Sequence, residues 1–280
     1  SGLNNFCSSV EEVKEQFYRL NEISPLVSCQ LGFHAEYTTK RETLEQFAKV
    51  AMDLRRPVYT HIAETKKEVE ECYEKYHVSP FGLLDSIGMF TNGGGGFHGV
   101  WMSEEDKKIC QKNKLAIVSN PSSNLKLASG IADVCGLMEA GIPVALGTDG
   151  PASNNALDMF REMYLASVLP KVYRKDASAM KADDVLSMAT TQGAFVMGLE
   201  DCDCLAEGKL ADIIRIDMKR PNMQPEHDLL KNLVYSGSKE NVRMTMVNGK
   251  ILYEDGQFFI DEDPSEIYCQ TAKIIKRMEA

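Results

Sequence analysis

The chain is sparing of histidine. Only five of its 280 residues are histidine, at 34, 61, 77, 98 and 227, and no two of them stand two positions apart. Tryptophan occurs once. Positive charge is in deficit: 31 Lys and Arg against 41 Asp and Glu leave a formal net charge of −10 and a pI near 5.1. That balance argues against a nucleic-acid partner. No apolar run approaches the roughly 20 residues that a bilayer span needs, and no signal-peptide pattern opens the chain. A cytoplasmic protein with no membrane partner is therefore expected. The eight cysteines are scattered in largely apolar contexts, not set at a disulfide or zinc spacing. Cys29 and Cys135 read as core thiols, and the C-x-C of Cys202 and Cys204 has no second pair beside it. Internal repeats and low-complexity tracts are missing as well.

What is present is an alternation of short apolar runs with longer helical ones. PVYTHIAE, residues 57–64, is β-prone and ends on His61, with Glu64 three residues on; a helix-forming run starts at Thr65. Before it, LVSCQLGFHAEYT reads as an apolar strand whose end carries Gly32 and His34. TKRETLEQFAKVAMDLR follows with helical spacing at Leu44, Phe47, Ala48 and Ala51. Ser8 or Ser9 caps a helix from about Val10. After PVYTHIAE comes a weaker strand, TNGGGGFHGVWM, holding His98, since glycine weakens a strand. A helix capped by Ser103 with Asp106 follows. LAIVSNPSSN is a buried strand running into a polar loop with Asn120 and Ser122, then ADVCGLMEAG is a helix ended by Gly141. IPVALGTDG is a further strand, ending at Thr148 and Asp149. Amphipathic helices then run to about Leu199.

Five strand-then-helix units thus lie between Leu26 and about Leu199, which predicts an α/β fold with a parallel sheet covered on both faces. A complete (β/α)₈ barrel takes about 250 residues, so the expectation is a partial TIM barrel of about five units over 1–200. From Asp201 the texture changes. CLAEGKLADIIRIDM is an alternating strand, NVRMTMVNGKILYEDGQFF reads as a hairpin turning on Asn248-Gly249, and a helix closes the chain. A β-rich segment over 201–262 and a terminal helix over 263–280 are expected.

The polar residues at the strand ends are His34, His61 with Glu64, His98, Asn120 with Ser122, and Asp149. In parallel α/β folds the carboxyl ends of the strands form the site. Two imidazoles and a carboxylate at successive strand ends are ligand types for a hydrolytic zinc or similar divalent ion, and Glu64 stands where a carboxylic acid can move a proton. Each residue has a plainer reading too. A lone strand-end histidine packs or is solvated more often than it ligates, and GTDG makes a tight turn in which Asp149 caps the next helix. The coincidence of all of them at one end of the sheet is what favours a site. His77 and His227 sit in polar surface contexts.

HIAET from His61, FHGVWMSEED from Phe97, NPSSNLKLASGIA from Asn120, GTDGPASNNALDMF from Gly147, GFHAEYT from Gly32 and the late EGKLADIIRID together resemble the amidohydrolase superfamily. The nearest subgroup is the S-adenosylhomocysteine/5′-methylthioadenosine deaminases, with chlorohydrolases and guanine deaminases beside it. The resemblance implies His61 and Asp149 as metal ligands, with zinc the expected cofactor. It implies Glu64 as a proton shuttle to the ring nitrogen, His98 orienting the water, His34 contacting substrate, and Asp149 also accepting the water's proton. The implied reaction is hydrolytic removal of an exocyclic amine from a small purine nucleoside-like substrate. The β-rich segment would be part of a small β-sandwich.

Two features depart from that family. Its members carry an H-x-H pair on the first barrel strand, which supplies two further ligands; none exists here. Glycines 93–96 replace an apolar strand. The expectation is a carboxy-terminal fragment whose first barrel strands are absent, inactive alone, with the occupancy of its metal open and a homo-oligomer possible. A chlorohydrolase or guanine deaminase is the alternative enzyme, and a non-catalytic remnant used for assembly is the alternative outside enzymes.

Overall fold

β-branched runs and amphipathic runs take turns along the first two-thirds of the chain, and the fold follows them. The computed structural model describes residues 10–279, and among these the chain divides after Gly198 into two units. The caps expected at Ser8 or Ser9 lie outside the described residues. The first unit opens with α1 (Val10–Glu22), β1 (Leu31–Gly32) and α2 (Arg41–Leu54). Then β2 (Val58–Ile62) precedes α3 (Lys66–Tyr76) and α4 (Pro80–Ser86), and β3 (Gly94–His98) precedes α5 (Glu104–Asn113). β4 (Leu115–Ser119) is followed by α6 (Pro121–Lys126) and α7 (Val134–Glu139). Last come β5 (Val144–Leu146), α8 (Pro151–Asn154), α9 (Met159–Arg174), α10 (Ala182–Ala189) and α11 (Thr191–Met197). The five strands make one parallel sheet in sequence order.

Strand alternation sorts the side chains between two faces. Tyr59 pairs with Gly95 and Gly95 with Ala116, while His61 pairs with Phe97, Phe97 with Val118 and Val118 with Ala145. Ala116, Val118 and Ala145 form an apolar cluster with Val196 of α11, with Tyr59 and Phe97 packed against it. On the other face Val58, Thr60 and Ile62 are fully buried. The helices start where their caps place them. Thr65 and Glu68 close a capping box on α3, Ser103 and Asp106 another on α5, and the Asp133 side chain caps α7. The apolar stripe Leu44, Phe47, Ala48 and Ala51 of α2 is buried.

Three expectations are corrected here. The run from Leu26 yields only two paired strand residues. Leu31 pairs with Val58, the first residue of β2, so residues 26–30 run past the start of that partner strand. Leu26 and Val27 are accordingly exposed, and Cys29 is half-buried where a core thiol was expected, while Cys135 is buried. The polar loop after β4 is instead helix α6, with Pro121 in its first turn, where the missing N–H costs nothing. The glycine run is paired on both sides as β3. A Cβ at Gly95 would overlap the carbonyl oxygen of Ala116, and one at Gly96 the Ile62 side chain. The close approach of both neighbouring strands requires glycine there, and the register carries His98 to a position opposite Ile62.

The second unit holds β6 (Ile213–Ile216), α12 (Leu229–Ser236), β7 (Val242–Val247), β8 (Lys250–Glu254), β9 (Gln257–Phe258) and α13 (Pro264–Met278). Its four strands form an antiparallel sheet in sequence order. β7 and β8 turn on Asn248 and Gly249, both at positive φ, as a tight two-residue hairpin demands. Among the described residues no helix is long and apolar enough to cross a membrane.

Candidate metal and hydrolytic site

Three strand ends deliver the site. His61 lies in β2, His98 ends β3, and Asp149 follows β5. One ligand atom from each lies within 4.8 Å of the other two, and among the described residues this is the one such group of three His, Cys, Asp or Glu side chains. Cys202 and Cys204 form none. The His61 and His98 rings are stacked with centroids 5.5 Å apart, and the His34 ring is 4.7 Å from that of His61. Glu64 Oε2 stands 3.8 Å from His98 Nε2. The structure therefore brings His34, His61, Glu64, His98 and Asp149 together. His77 closes α3 in a left-handed conformation, and His227 is exposed.

Backbone strain marks the same places. Ala63, His98 and Asp149 have φ of 52°, 77° and 59°. The left-handed Arg55, His77, Lys114 and Lys175 end helices, an ordinary role. The three at the strand ends end no helix, and each costs about 1–2 kcal/mol. Such cost persists where the surrounding contacts dictate the conformation, and here they do.

The donor set suits a divalent ion such as zinc: two imidazoles and a carboxylate, with a further position open. His61 Nδ1 lies 2.8 Å from the carbonyl oxygen of His34. A carbonyl can only accept, so Nδ1 carries the proton and Nε2 is left with its lone pair. Burial lowers the His61 pKa, and the His34 carbonyl opposes it without cancelling it, so the ring stays neutral and able to ligate. Burial is also the largest influence on Asp149, pushing its pKa up. Hydrogen bonds from Ser123, Ser153 and the Gly150 N–H, with the nearby His98, oppose burial and leave the carboxyl below its ordinary value, hence ionised.

Several groups that hold the site were not singled out in the sequence. Glu68, buried in the first turn of α3, accepts the N–H groups of Ala63 at 2.6 Å, Glu64 at 2.8 Å and Thr65 at 3.3 Å. Ser123 donates to Asp149 Oδ2 at 2.6 Å, Asn124 Oδ1 lies 2.8 Å from His98 Nδ1, and Ser129 donates to Glu64 Oε1 at 3.1 Å. The sequence pointed one turn too early, at Asn120 and Ser122. Asn120 turns back to the Val118 carbonyl, and the Ser122 hydroxyl is buried without a partner. The Ser122 N–H binds Glu162, whose carboxylate also takes the Asn154 amide, and Asn154 holds the Thr148 carbonyl beside Asp149.

Comparison with known proteins decides the family. The model of the amidohydrolase family matches residues 6–252. The chain belongs to the amidohydrolase family. Among its relatives in that family, the 5-methylthioadenosine/S-adenosylhomocysteine deaminase of Pyrococcus furiosus is 41% identical over 253 residues, covering 88% of this chain and 60% of the relative. The enzyme of the same name from Caldicellulosiruptor saccharolyticus is 38% identical over 255 residues, covering 91% and 59%. This amidohydrolase chain thus spans about 60% of the length of the curated relatives it matches. Among solved structures, a zinc-bound adenosine deaminase from Xanthomonas campestris superposes with a TM-score of 0.90 at 31% identity, over 98% of this chain and 63% of that one. An atrazine chlorohydrolase from Arthrobacter aurescens complexed with zinc has a TM-score of 0.85 at 24% identity over 95% and 60%, a likeness of fold.

Proposed function

We propose that the chain carries part of the active site of a zinc-dependent deaminase acting on an adenosine-type compound such as 5′-methylthioadenosine or S-adenosylhomocysteine. The observation that carries the proposal is the convergence of His61, His98 and Asp149 within 4.8 Å, beside Glu64. The deaminase names of the relatives at 41% and 38% identity support the substrate class. The chlorohydrolase likeness is one of fold and does not compete. In this reading the parallel sheet and its helices over 1–200 are part of a (β/α)₈ barrel, 201–262 is part of a small β-sandwich, and 263–280 is a terminal helix.

His61 and Asp149 would hold the zinc, with His98 beside it. When bound, zinc lowers the pKa of water and supplies a nucleophile near neutral pH. The chain's own groups do the rest. Asp149, kept ionised by its hydrogen bonds, accepts a proton from the attacking water. His98 aligns that water against the ring carbon bearing the amine. Glu64, as a carboxylic acid, would give its proton to the adjacent ring nitrogen as the C–O bond forms. It would then take the proton of the new hydroxyl while the proton held by Asp149 passes to the amine, so that the C–N bond breaks, the carbonyl forms and ammonia leaves with both carboxyl groups restored. His34 lines the approach, its ring against that of Tyr37.

The test is ammonia release from both substrates by the zinc-loaded chain, alone and mixed with the portion of the Pyrococcus relative outside the aligned 253 residues. Ammonia that disappears in Glu64→Gln supports the reading. A zinc-loaded, folded mixture that releases none contradicts it.

A further inference from the structure

The segment from Pro121 to Gly130 reaches three strand ends at once. Ser123 donates to Asp149, Ser129 to Glu64, and Asn124 meets His98, although the three partners stand at the ends of three different strands. The segment is itself fixed. The Asn124 N–H binds the Asn120 carbonyl, the Ser129 N–H binds the Asn124 carbonyl, and the Trp101 indole N–H binds the Ser129 carbonyl at 2.7 Å. Asn124 is 2% exposed and His98 1%, so their contact is shielded from water.

We infer that Asn124 is a positioning residue: its side-chain oxygen holds the proton of His98 on Nδ1 and thereby presents the Nε2 lone pair to the site. An amide oxygen is an acceptor only, so at 2.8 Å it selects the Nδ1–H form of a neutral ring. Nε2 then faces Glu64 Oε2 across 3.8 Å with no proton of its own. Whenever Glu64 is ionised two acceptors face each other here, and a water molecule or a metal ion between them meets the need for a donor or a cation. The opposite amide orientation would place an N–H donor on Nδ1 and force the proton onto Nε2, aiming it at Glu64 and closing the ring to a cation. His61 achieves the same polarity through the His34 carbonyl. Both rings therefore turn their Nε2 atoms inward, one set by main chain and the other by a side chain that substitution can remove. Partners of this kind fix the tautomer and the basicity of a ligating histidine.

The experiment is nitrogen NMR of the histidine side chains in the full metal-free chain, at a pH where the rings are neutral, with the His98 signals assigned by their loss in His98→Gln. The parent chain is expected to show His98 protonated at Nδ1 and bare at Nε2. Asn124→Asp, which keeps an acceptor, should retain that form, and Asn124→Leu should shift His98 toward the Nε2–H tautomer that a free histidine side chain prefers. An Nε2–H ring in the parent overturns the inference, as does an unchanged tautomer in Asn124→Leu. Where Asn124→Leu does not fold, the parent and Asn124→Asp spectra decide. Zinc affinity, measured by chelator competition, gives a second readout that rests on the proposed zinc site: a loss of about ten- to hundredfold in Asn124→Leu with recovery in Asn124→Asp. A parent chain that binds no zinc sinks the zinc reading, while the tautomer result still decides the role of Asn124.

Discussion

The Glu68 carboxylate accepts the backbone N–H of Glu64 at 2.8 Å, so the residue proposed to move the proton is held by a buried acid one helical turn further on. The same carboxylate takes the N–H groups of Ala63 and Thr65, which pins the left-handed Ala63 turn between β2 and α3. Replacing Glu68 by Ala leaves the buried Ala63 N–H and the half-buried Glu64 and Thr65 N–H groups unpaired. The expected loss is about 3 kcal/mol, from the usual cost of orphaned donors and of lost bonds to a charged acceptor. Urea unfolding of the variant against the parent measures it, and a loss under about 0.5 kcal/mol would show that the turn holds without its clamp.

Ser129 orients the Glu64 carboxylate with a single hydroxyl. Ser129→Ala should therefore leave zinc content unchanged and lower ammonia release in the complemented assay by about tenfold, the worth of one hydrogen bond to a charged group. Equal rates in both proteins would mean that Glu64 finds its orientation unaided.

The glycines of β3 are required by packing. Gly95→Ala would push a methyl group into the Ala116 carbonyl of the adjacent strand, where a sheet has no room to yield. The expected cost is about 3 kcal/mol, at the upper end for overpacking, or loss of folded protein. A variant that melts with the parent would contradict the close approach.

Much of this arrangement is legible in the sequence, and the illegible parts share a cause. PVYTHIAE announces a strand because Val58 and Thr60 favour one and a capped helix follows at once. Asp149 sits at the end of an unbroken apolar run. Ser123 and Asn124 escape notice because a six-residue helix is too short to show a period, and proline, serine and asparagine together suggest a turn. The extent of β1 depends on where its partner begins, which is a matter of register and not of propensity. Glu68 looks like any glutamate of a charged helix until the chain is folded over it.

Glu36, two residues after His34 and near Glu68, gives a pH signature of its own. Burial and then the neighbouring Glu68 raise its pKa from 4.5 to about 8, and one of its oxygens has no hydrogen-bond partner. Between those values the unfolded chain has lost this proton while the folded chain keeps it. The Glu36 contribution to stability is thus complete below 4.5 and is lost as pH rises to about 8, at a slope approaching 1.4 kcal/mol per pH unit. Glu36→Gln should remove that slope, so that parent and variant diverge steadily in urea midpoints across the window. Parallel curves would show that Glu36 is ionised in the folded protein.

The central claim is that His61 and Asp149, with His98 beside them, form a metal site within this chain. Elemental analysis of the purified chain after zinc loading and exhaustive dialysis tests it most directly, with His61→Ala and Asp149→Ala as controls. About one zinc per parent chain and little in either variant is the predicted result. A parent chain that retains no more zinc than its variants would contradict the account.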